Sequence, residues 1–301
     1  MDTDLDTLAV ALYVTADELL KAYPERLPLR PKVGFAPRIS DAEIVTLSVM
    51  QALLGYTSET RWIRFATARL AGMFPNLPGQ SGYNKRLRKL AAAGTLQWIG
   101  GALAQSVSIA DDTVWVADST PVECARSRET VKRSRLAGWA QYGYCASHSR
   151  YFWGLRLHLV ATLHGLPVAW ALTGAKADER ETLSSLIDGR QTAGQTLLAD
   201  KGYYGRAFEA GLADAGITFI RPARAGEPPR DGGRFLKPLR QRIESVFDTF
   251  KGQLDLERHG GRTTAGVLAR IAQRILALTA AIWHNDQTGA PILRSLTAYD
   301  H

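Results

Sequence analysis

Apolar positions recur at helical spacing through the first 110 residues. Leu5, Leu8, Leu12, Leu19 and Leu20 predict a helix that stops at Pro24, and Pro28 and Pro31 mark a linker after it. Ser40 with Glu43 three residues on has the form of a capping box, in which a hydroxyl and a carboxylate each satisfy a free backbone N–H at a helix start. The helix it opens is predicted to run to about Leu54. Trp62, Ile63, Phe65 and Leu70 repeat the pattern over 59–71, and after a turn over 75–82 a short helix over 83–92 carries Lys85, Arg86, Arg88 and Lys89.

From Thr113 the period shortens. Residues 113–117 form one β-type run, and residues 152–162 form another in which Leu155, Leu157, Leu159 and Ala161 alternate against Gly154, Arg156 and His158. His164-Gly165 turns the chain into a run over 167–173, a predicted hairpin. Helices are predicted near Glu179 and Tyr204, with a short buried strand over 196–199 between them and a fifth strand over 217–220. Three strands before the first helix predict a mixed sheet with an antiparallel part. Residues 223–238, rich in Gly, Pro and Arg, read as an exposed connection. It leads to a helix over about 239–254 and a longer apolar helix over about 264–283. The domain division that follows is a helical region over 1–110, an α/β domain over 111–285 and a tail over 286–301.

The chain has 37 Lys and Arg against 29 Asp and Glu, a formal net charge of +8. An excess of that size points to an anionic partner, nucleic acid first. Two cysteines, Cys124 and Cys145, exclude a disulfide framework and a zinc ribbon and suit a reducing compartment. Asp2, Asp4 and Asp6 stand where a signal peptide carries basic residues, and no apolar run has the length of a membrane span, so the expectation is a cytoplasmic protein without a membrane partner.

Three acids stand out. Asp118 and Asp200 each follow a short apolar run, Val-Trp-Val-Ala and Leu-Leu-Ala, and two such strands side by side would bring both carboxylates to a sheet rim. There they would repel unless a divalent cation sat between them. On a helix at 100° per residue, Arg240, Glu244 and Lys251 fall at about 0°, 40° and 20°, one stripe bordering the apolar face of Ile243, Val246, Phe247, Phe250 and Leu254. Taken singly, an Asp after a strand is most often a turn residue or helix cap, and a Glu four residues after an Arg is most often its solvated partner. Only the joint pattern in a basic chain points to a metal site.

In these contexts the sequence resembles the DDE transposases of bacterial insertion sequences. The matching residues are Ala117-Asp118-Ser119-Thr120-Pro121, Asp200-Lys201-Gly202-Tyr203, and Arg240-x3-Glu244-x6-Lys251. Gly-Leu-Arg-Leu-His158 and Ala177-Asp178 match as well. Where the family often has a Tyr three residues before the Arg, this chain has Lys237, a departure that bears on a contact to flanking DNA. The resemblance implies an RNase H-like mixed β-sheet flanked by helices, with an all-α N-terminal region used for binding DNA ends.

It further implies that Asp118, Asp200 and Glu244 ligate two Mg²⁺ ions, with Mn²⁺ as a substitute. At these ions the ends of a mobile element are cut and then joined to target DNA. The expected partners are double-stranded DNA, both terminal repeats and target, and a second copy of the chain, a homodimer or higher oligomer when DNA is bound. In a bacterium such a protein works at the nucleoid. Arg126, Arg128, Lys132, Arg133 and Arg135 after the first Asp, and Arg221, Arg224, Arg230, Arg234, Lys237, Arg240 and Arg242 before Glu244, are candidate phosphate contacts, as are Lys201 and Lys251. Lys85, Arg86, Arg88 and Lys89 are candidate contacts to a terminal repeat. Asp178 is a fourth acid or a helix cap, His158 a phosphate neighbour or a structural histidine, and Tyr203 and Tyr204 base-stacking or packed rings. The other functions open to these residues are a DNA-binding or regulatory protein of the same fold that no longer cuts, and a nuclease that hydrolyses without joining.

Overall fold

The computed structural model describes residues 3–29, 36–145, 149–190, 192–230, 233–292, 296 and 299, with the side chains of residues 233–235, 237 and 240 left aside. In chain order its helices are α1 (Thr3–Ala22), α2 (Asp41–Leu53), α3 (Glu59–Arg69), α4 (Gln80–Ala92) and α5 (Thr95–Gln105), then the short α6 (Arg128–Lys132), α7 (Glu179–Ile187), α8 (Arg206–Asp214), α9 (Gly233–Asp248) and α10 (Thr264–Gln287). The strands are β1 (Val114–Ala125), β2 (Gln141–Cys145), β3 (Arg150–Thr162), β4 (Pro167–Gly174), β5 (Thr196–Leu198) and β6 (Thr218–Ile220). Two compact units result, residues 1–106 together with 249–301, and residues 107–248.

The first unit is helical. The predicted capping box is present: Ser40 Oγ accepts from Glu43 N at 3.0 Å, and Glu43 Oε2 accepts from Ser40 N at 2.6 Å. Such a cap contributes about 1 kcal/mol. α10 packs against α1, α2, α4 and α5. It therefore groups with the N-terminal helices, where sequence patterning alone had placed it in the α/β domain. The physical reason is its all-round apolarity: the consecutive residues Ile275, Leu276, Ala277 and Leu278, which point to four sides of the helix, are all buried, and only a bundle of helices can cover every side. By length and composition α10 would also pass for a membrane span, contrary to expectation, but it carries buried Arg270 and Arg274 and lies inside this bundle. Arg270 forms an ion pair with Glu59 of α3 and donates to Gln273 Oε1 at 2.9 Å and Gln51 Oε1 at 3.2 Å. Tyr83 Oη donates to the same Gln51 oxygen at 2.8 Å, so one polar cluster ties α2, α3, α4 and α10.

The second unit is a six-stranded mixed sheet in the order β2-β3-β1-β5-β6, with β4 also paired to β3. β1, β3 and β4 are antiparallel, and β5 and β6 join parallel to β1 through α7 and α8. One face is filled by Trp115, Ala117, Val160, Leu197 and Ala199 packed against Leu183 and Ile187 of α7 and Leu212 of α8. Among the described residues this cluster contains none from α9, which crosses β1 and β5 and covers the other face with Ile243, Val246 and Phe247.

Two boundaries differ from the sequence reading. β1 runs on to Ala125, because its pairing with β3 continues past Asp118 to Ala125↔Trp153. Pro121 is accommodated because β1 pairs with β5 only as far as Val116, so its β5 side carries no ladder there. α9 begins at Gly233 with Pro238 inside it, and a π-helical turn, Thr249–Gln253, follows it.

Candidate active site

The site is built by strand register. β1 and β5 pair as Val114↔Thr196, Trp115↔Leu197 and Val116↔Leu198. The ladder ends at that last pair; Asp118 follows it by two residues along β1, and Asp200 by two residues, just past the end of β5. Neighbouring strands lie about 4.8 Å apart, and residues opposite one another project to the same face. Alternation along β1 assigns Asp118 to the face of Val116, opposite to that of Trp115 and Ala117, and so to the face that α9 covers. Both aspartates are half-buried. Backbone amides hold them: Asp118 Oδ1 accepts from Ser119 N at 2.7 Å and Asp200 Oδ1 from Lys201 N at 2.6 Å.

Glu244 rides on α9, one residue from buried Ile243 and two from buried Val246, and is exposed. Its helix spans the two strands that carry the aspartates. Among the described residues, however, no three His, Cys, Asp or Glu side chains lie close enough together to hold one metal ion. Thus two acids each follow the last pair of β1 and β5 by two residues and the third sits on the helix that packs on these strands, without the three carboxylates closing into one cluster. The donor set is carboxylate oxygen throughout, which suits a hard divalent cation.

A second set of polar groups, not singled out from sequence, braces the opposite side of β1. Arg156 Nη1 donates to Ser119 Oγ at 2.9 Å and to Glu179 Oε1 at 2.7 Å, and Ser119 Oγ donates to the same Glu179 oxygen at 2.6 Å. These bonds join β1, β3 and α7 immediately beside Asp118. The alternation that sets Arg156 against the apolar face of β3 was the available signal; Glu179 offered none beyond opening a helix. Tyr203 is buried below, and its hydroxyl is pushed far above the usual phenol range by burial, with the Glu179 and Asp118 charges adding. Tyr203 is therefore a packed ring. Tyr204 is 40% exposed, with the Arg224 guanidinium 3.6 Å over its ring.

Asp178 is a helix cap: it accepts from Arg180 N at 2.8 Å and Glu181 N at 3.3 Å, and its bond to the Arg180 side chain holds its carboxyl well below the usual range. His158 is buried, with Nε2 2.8 Å from Thr173 Oγ1 and Nδ1 without a hydrogen-bond partner among the described residues. Burial, and then the charge of Arg156, lower its pKa to about 4. A histidine held neutral in the fold adds stability above the unfolded value near 6.5, and that stability is lost as pH falls toward 4. Between pH 7 and 4.5 the wild type should therefore lose about 2 kcal/mol more than His158→Gln, read from urea midpoints. An equal loss in both would place the titrating groups elsewhere.

The basic residues divide. Arg126, Arg128, Lys132, Arg133 and Arg135 are exposed on and around α6, and Lys201 is exposed beside Asp200. Arg221, by contrast, is buried between Glu209, at 2.8 Å, and Glu227, at 2.8 and 3.0 Å, and Arg230 pairs with Glu209 at 2.7 Å. These two tie the connection after β6 to α8, so they are structural ion pairs and not phosphate contacts. Arg86 likewise is taken up by Asp41 and the Ile39 carbonyl, which leaves Lys85 and Lys89 as the exposed cations of α4, with Arg88 half-buried. Lys251 lies on the π-helical turn of the first unit, half-buried. The side chains of Arg234, Lys237 and Arg240 lie outside the described residues.

Comparison with known proteins bears on the family and the fold. A family model described as a transposase DDE domain matches residues 105–280, more than half of the chain. Among solved structures, a piggyBac transposase seen by cryo-EM in a synaptic complex with hairpin DNA aligns with a TM-score of 0.50 and 8% identity, over 97% of this chain and 76% of that one. At that identity the likeness speaks to the fold, and it agrees with an RNase H-like sheet flanked by helices. No curated protein matches the chain in sequence. With a model match of that extent, covering β1 to β6, α9 and most of α10, the chain belongs to the transposase DDE domain family.

Proposed function

We propose that this chain is the transposase of a bacterial insertion sequence, cutting the ends of its element and joining them to target DNA, with Asp118, Asp200 and Glu244 as metal ligands. The observation that supports the reading is the parallel pairing of β1 with β5: Asp118 and Asp200 each follow its last pair by two residues, and α9, which bears Glu244, packs on both strands. Bound there, two divalent ions, Mg²⁺ or in its place Mn²⁺, would activate water and stabilise the departing 3′ oxygen. The chain supplies the rest. Ser119 N and Lys201 N each donate to Oδ1 of the aspartate before them and would orient those carboxylates. Glu244, exposed on α9, would be the third ligand. Lys201 is placed to contact a phosphate near the acids, and the exposed cations around α6 to track the backbone beyond it. Lys237, Arg240 and Lys251 have the same role in this reading. Lys85 and Lys89 would hold the terminal repeats, and a second copy of the chain would hold the second end. Such an enzyme works in the cytoplasm, on the nucleoid.

The test is incubation of the chain with labelled element-end DNA, Mg²⁺ and a target plasmid. Joined products are expected. Cleavage without joining would indicate a nuclease, binding without cleavage an end-binding factor, and either would overturn the proposal. Binding should weaken steeply with salt, since each neutralised phosphate releases counterions.

A further inference from the structure

Away from the acids, the second unit carries an exposed aromatic face. In the pairing of β2 with β3, Tyr144 lies opposite Tyr151 and Tyr142 opposite Trp153. Tyr142, Tyr144 and Tyr151 are 51%, 48% and 79% exposed, and the Tyr144 and Tyr151 ring centroids are 5.0 Å apart. The reverse side of the pair is a small core of Cys145, Phe152 and Ala175. Gly143 permits that close seating, since a Cβ there would lie 2.8 Å from the Ala175 Cβ and 2.9 Å from the Phe152 ring. The strand pair is therefore fixed through its inner face, and its tyrosines are held outward.

Charge says what meets them. Between Glu123 and Tyr151 the chain has six Lys or Arg against two Glu. Arg126, Arg128, Lys132, Arg133, Arg135 and Arg150 are all exposed, and Arg126 and Arg150 converge on Glu123 at 3.5 and 3.7 Å. By alternation Arg150 and Glu123 belong to the reverse face, so the rings and these cations share one end of the sheet and not one face, an arrangement that suits a strand whose bases stack on the rings while its phosphates pass the cations at that end. We propose that the tyrosine face of β2 and β3 docks unpaired bases of a DNA strand. Alternation along β3 from Tyr151 to Leu159, the partner of Asp118, puts the tyrosines on the same sheet face as that acid, about 26 Å away at 3.3 Å per residue. That the strand docked there is the one cut at the acids rests on the function proposed above.

The test is fluorescence anisotropy of the full chain in EDTA, with an oligothymidylate and a blunt duplex of equal length as probes. Tyr144→Val/Tyr151→Val, which keeps β-branched residues in the strands, should weaken oligothymidylate binding by about 30-fold or more through two lost stacking contacts and leave the duplex within about twofold. Tyr144→Phe/Tyr151→Phe should bind both probes as the wild type does. Unchanged oligothymidylate binding in the Val variant would overturn the proposal, as would an equal loss on both probes. So would lost self-association with DNA binding intact, the mark of a protein interface. No metal is present, so a negative result leaves the cleavage reading to be judged by its own assay.

Discussion

Asp118→Asn should abolish strand cleavage, by about 1,000-fold or more, while salt-sensitive DNA binding persists. The expectation follows from the function proposed above, in which Asp118 and Asp200, each two residues past the last β1–β5 pair, ligate the same ions. A bound divalent ion supplies several kcal/mol of transition-state charge stabilisation, and roughly 4 kcal/mol corresponds to about 1,000-fold in rate. The amide keeps the shape and the hydrogen bond from Ser119 N but not the charge. Asp200→Asn and Glu244→Gln should behave alike, read as nicked end DNA in single-turnover assays beside anisotropy for binding. Full cleavage in any one would remove that residue from the site. Loss of binding together with cleavage would mean that the residue supports the fold instead.

Glu59→Gln and Arg270→Met should each destabilise the helical unit by about 3–5 kcal/mol. Both residues are only 8% exposed, and removing one charge strands the other in the interior. The stranded partner takes its neighbours with it: Gln80 Nε2 and Asn84 Nδ2 each donate to Glu59 at 2.6 Å, and Arg270 donates to Gln51 and Gln273. The double variant Glu59→Gln/Arg270→Met should recover much of the loss, because no uncompensated charge remains. Urea denaturation of the four proteins measures this directly. Single variants that each lose less than about 1 kcal/mol would show that solvent reaches the pair.

The helical start of the chain was legible because its signals are local. Ser40 and Glu43 are three residues apart, and both reciprocal bonds form. The strands that carry Asp118, His158 and Asp200 were legible for the same reason, being short runs of apolar residues or of strict alternation. What failed to show were features decided by a neighbour distant in sequence. Thr-Pro after Asp118 reads as a strand end, yet β3 carries β1 past it to Ala125. β2 is five residues, Gln-Tyr-Gly-Tyr-Cys, with a glycine at its centre that reads as a turn until Ala175 and Phe152 are seen against it. α10 reads as the last helix of the α/β domain by adjacency, and only its buried circumference assigns it to the bundle.

Among candidate site residues the acids and the cations fared differently. The strands that lead to Asp118 and Asp200 follow from pattern alone, because short apolar runs are a local signal, and their pairing is seen up to Val116 and Leu198. Arg221 and Arg86 do not, since a run of arginines gives no sign of which member finds a buried carboxylate. Asp178 could have been settled from its place before Glu179, where a cap is required.

The central claim is that Asp118, Asp200 and Glu244 close on one divalent centre when substrate is present. Anomalous diffraction from the chain crystallised with end DNA and Mn²⁺ measures it most directly. The account predicts manganese peaks about 2.0–2.2 Å from carboxylate oxygens of all three residues, as small hard cations require. Peaks ligated by other side chains, or Glu244 turned away with the ions held by the aspartates alone, would contradict it.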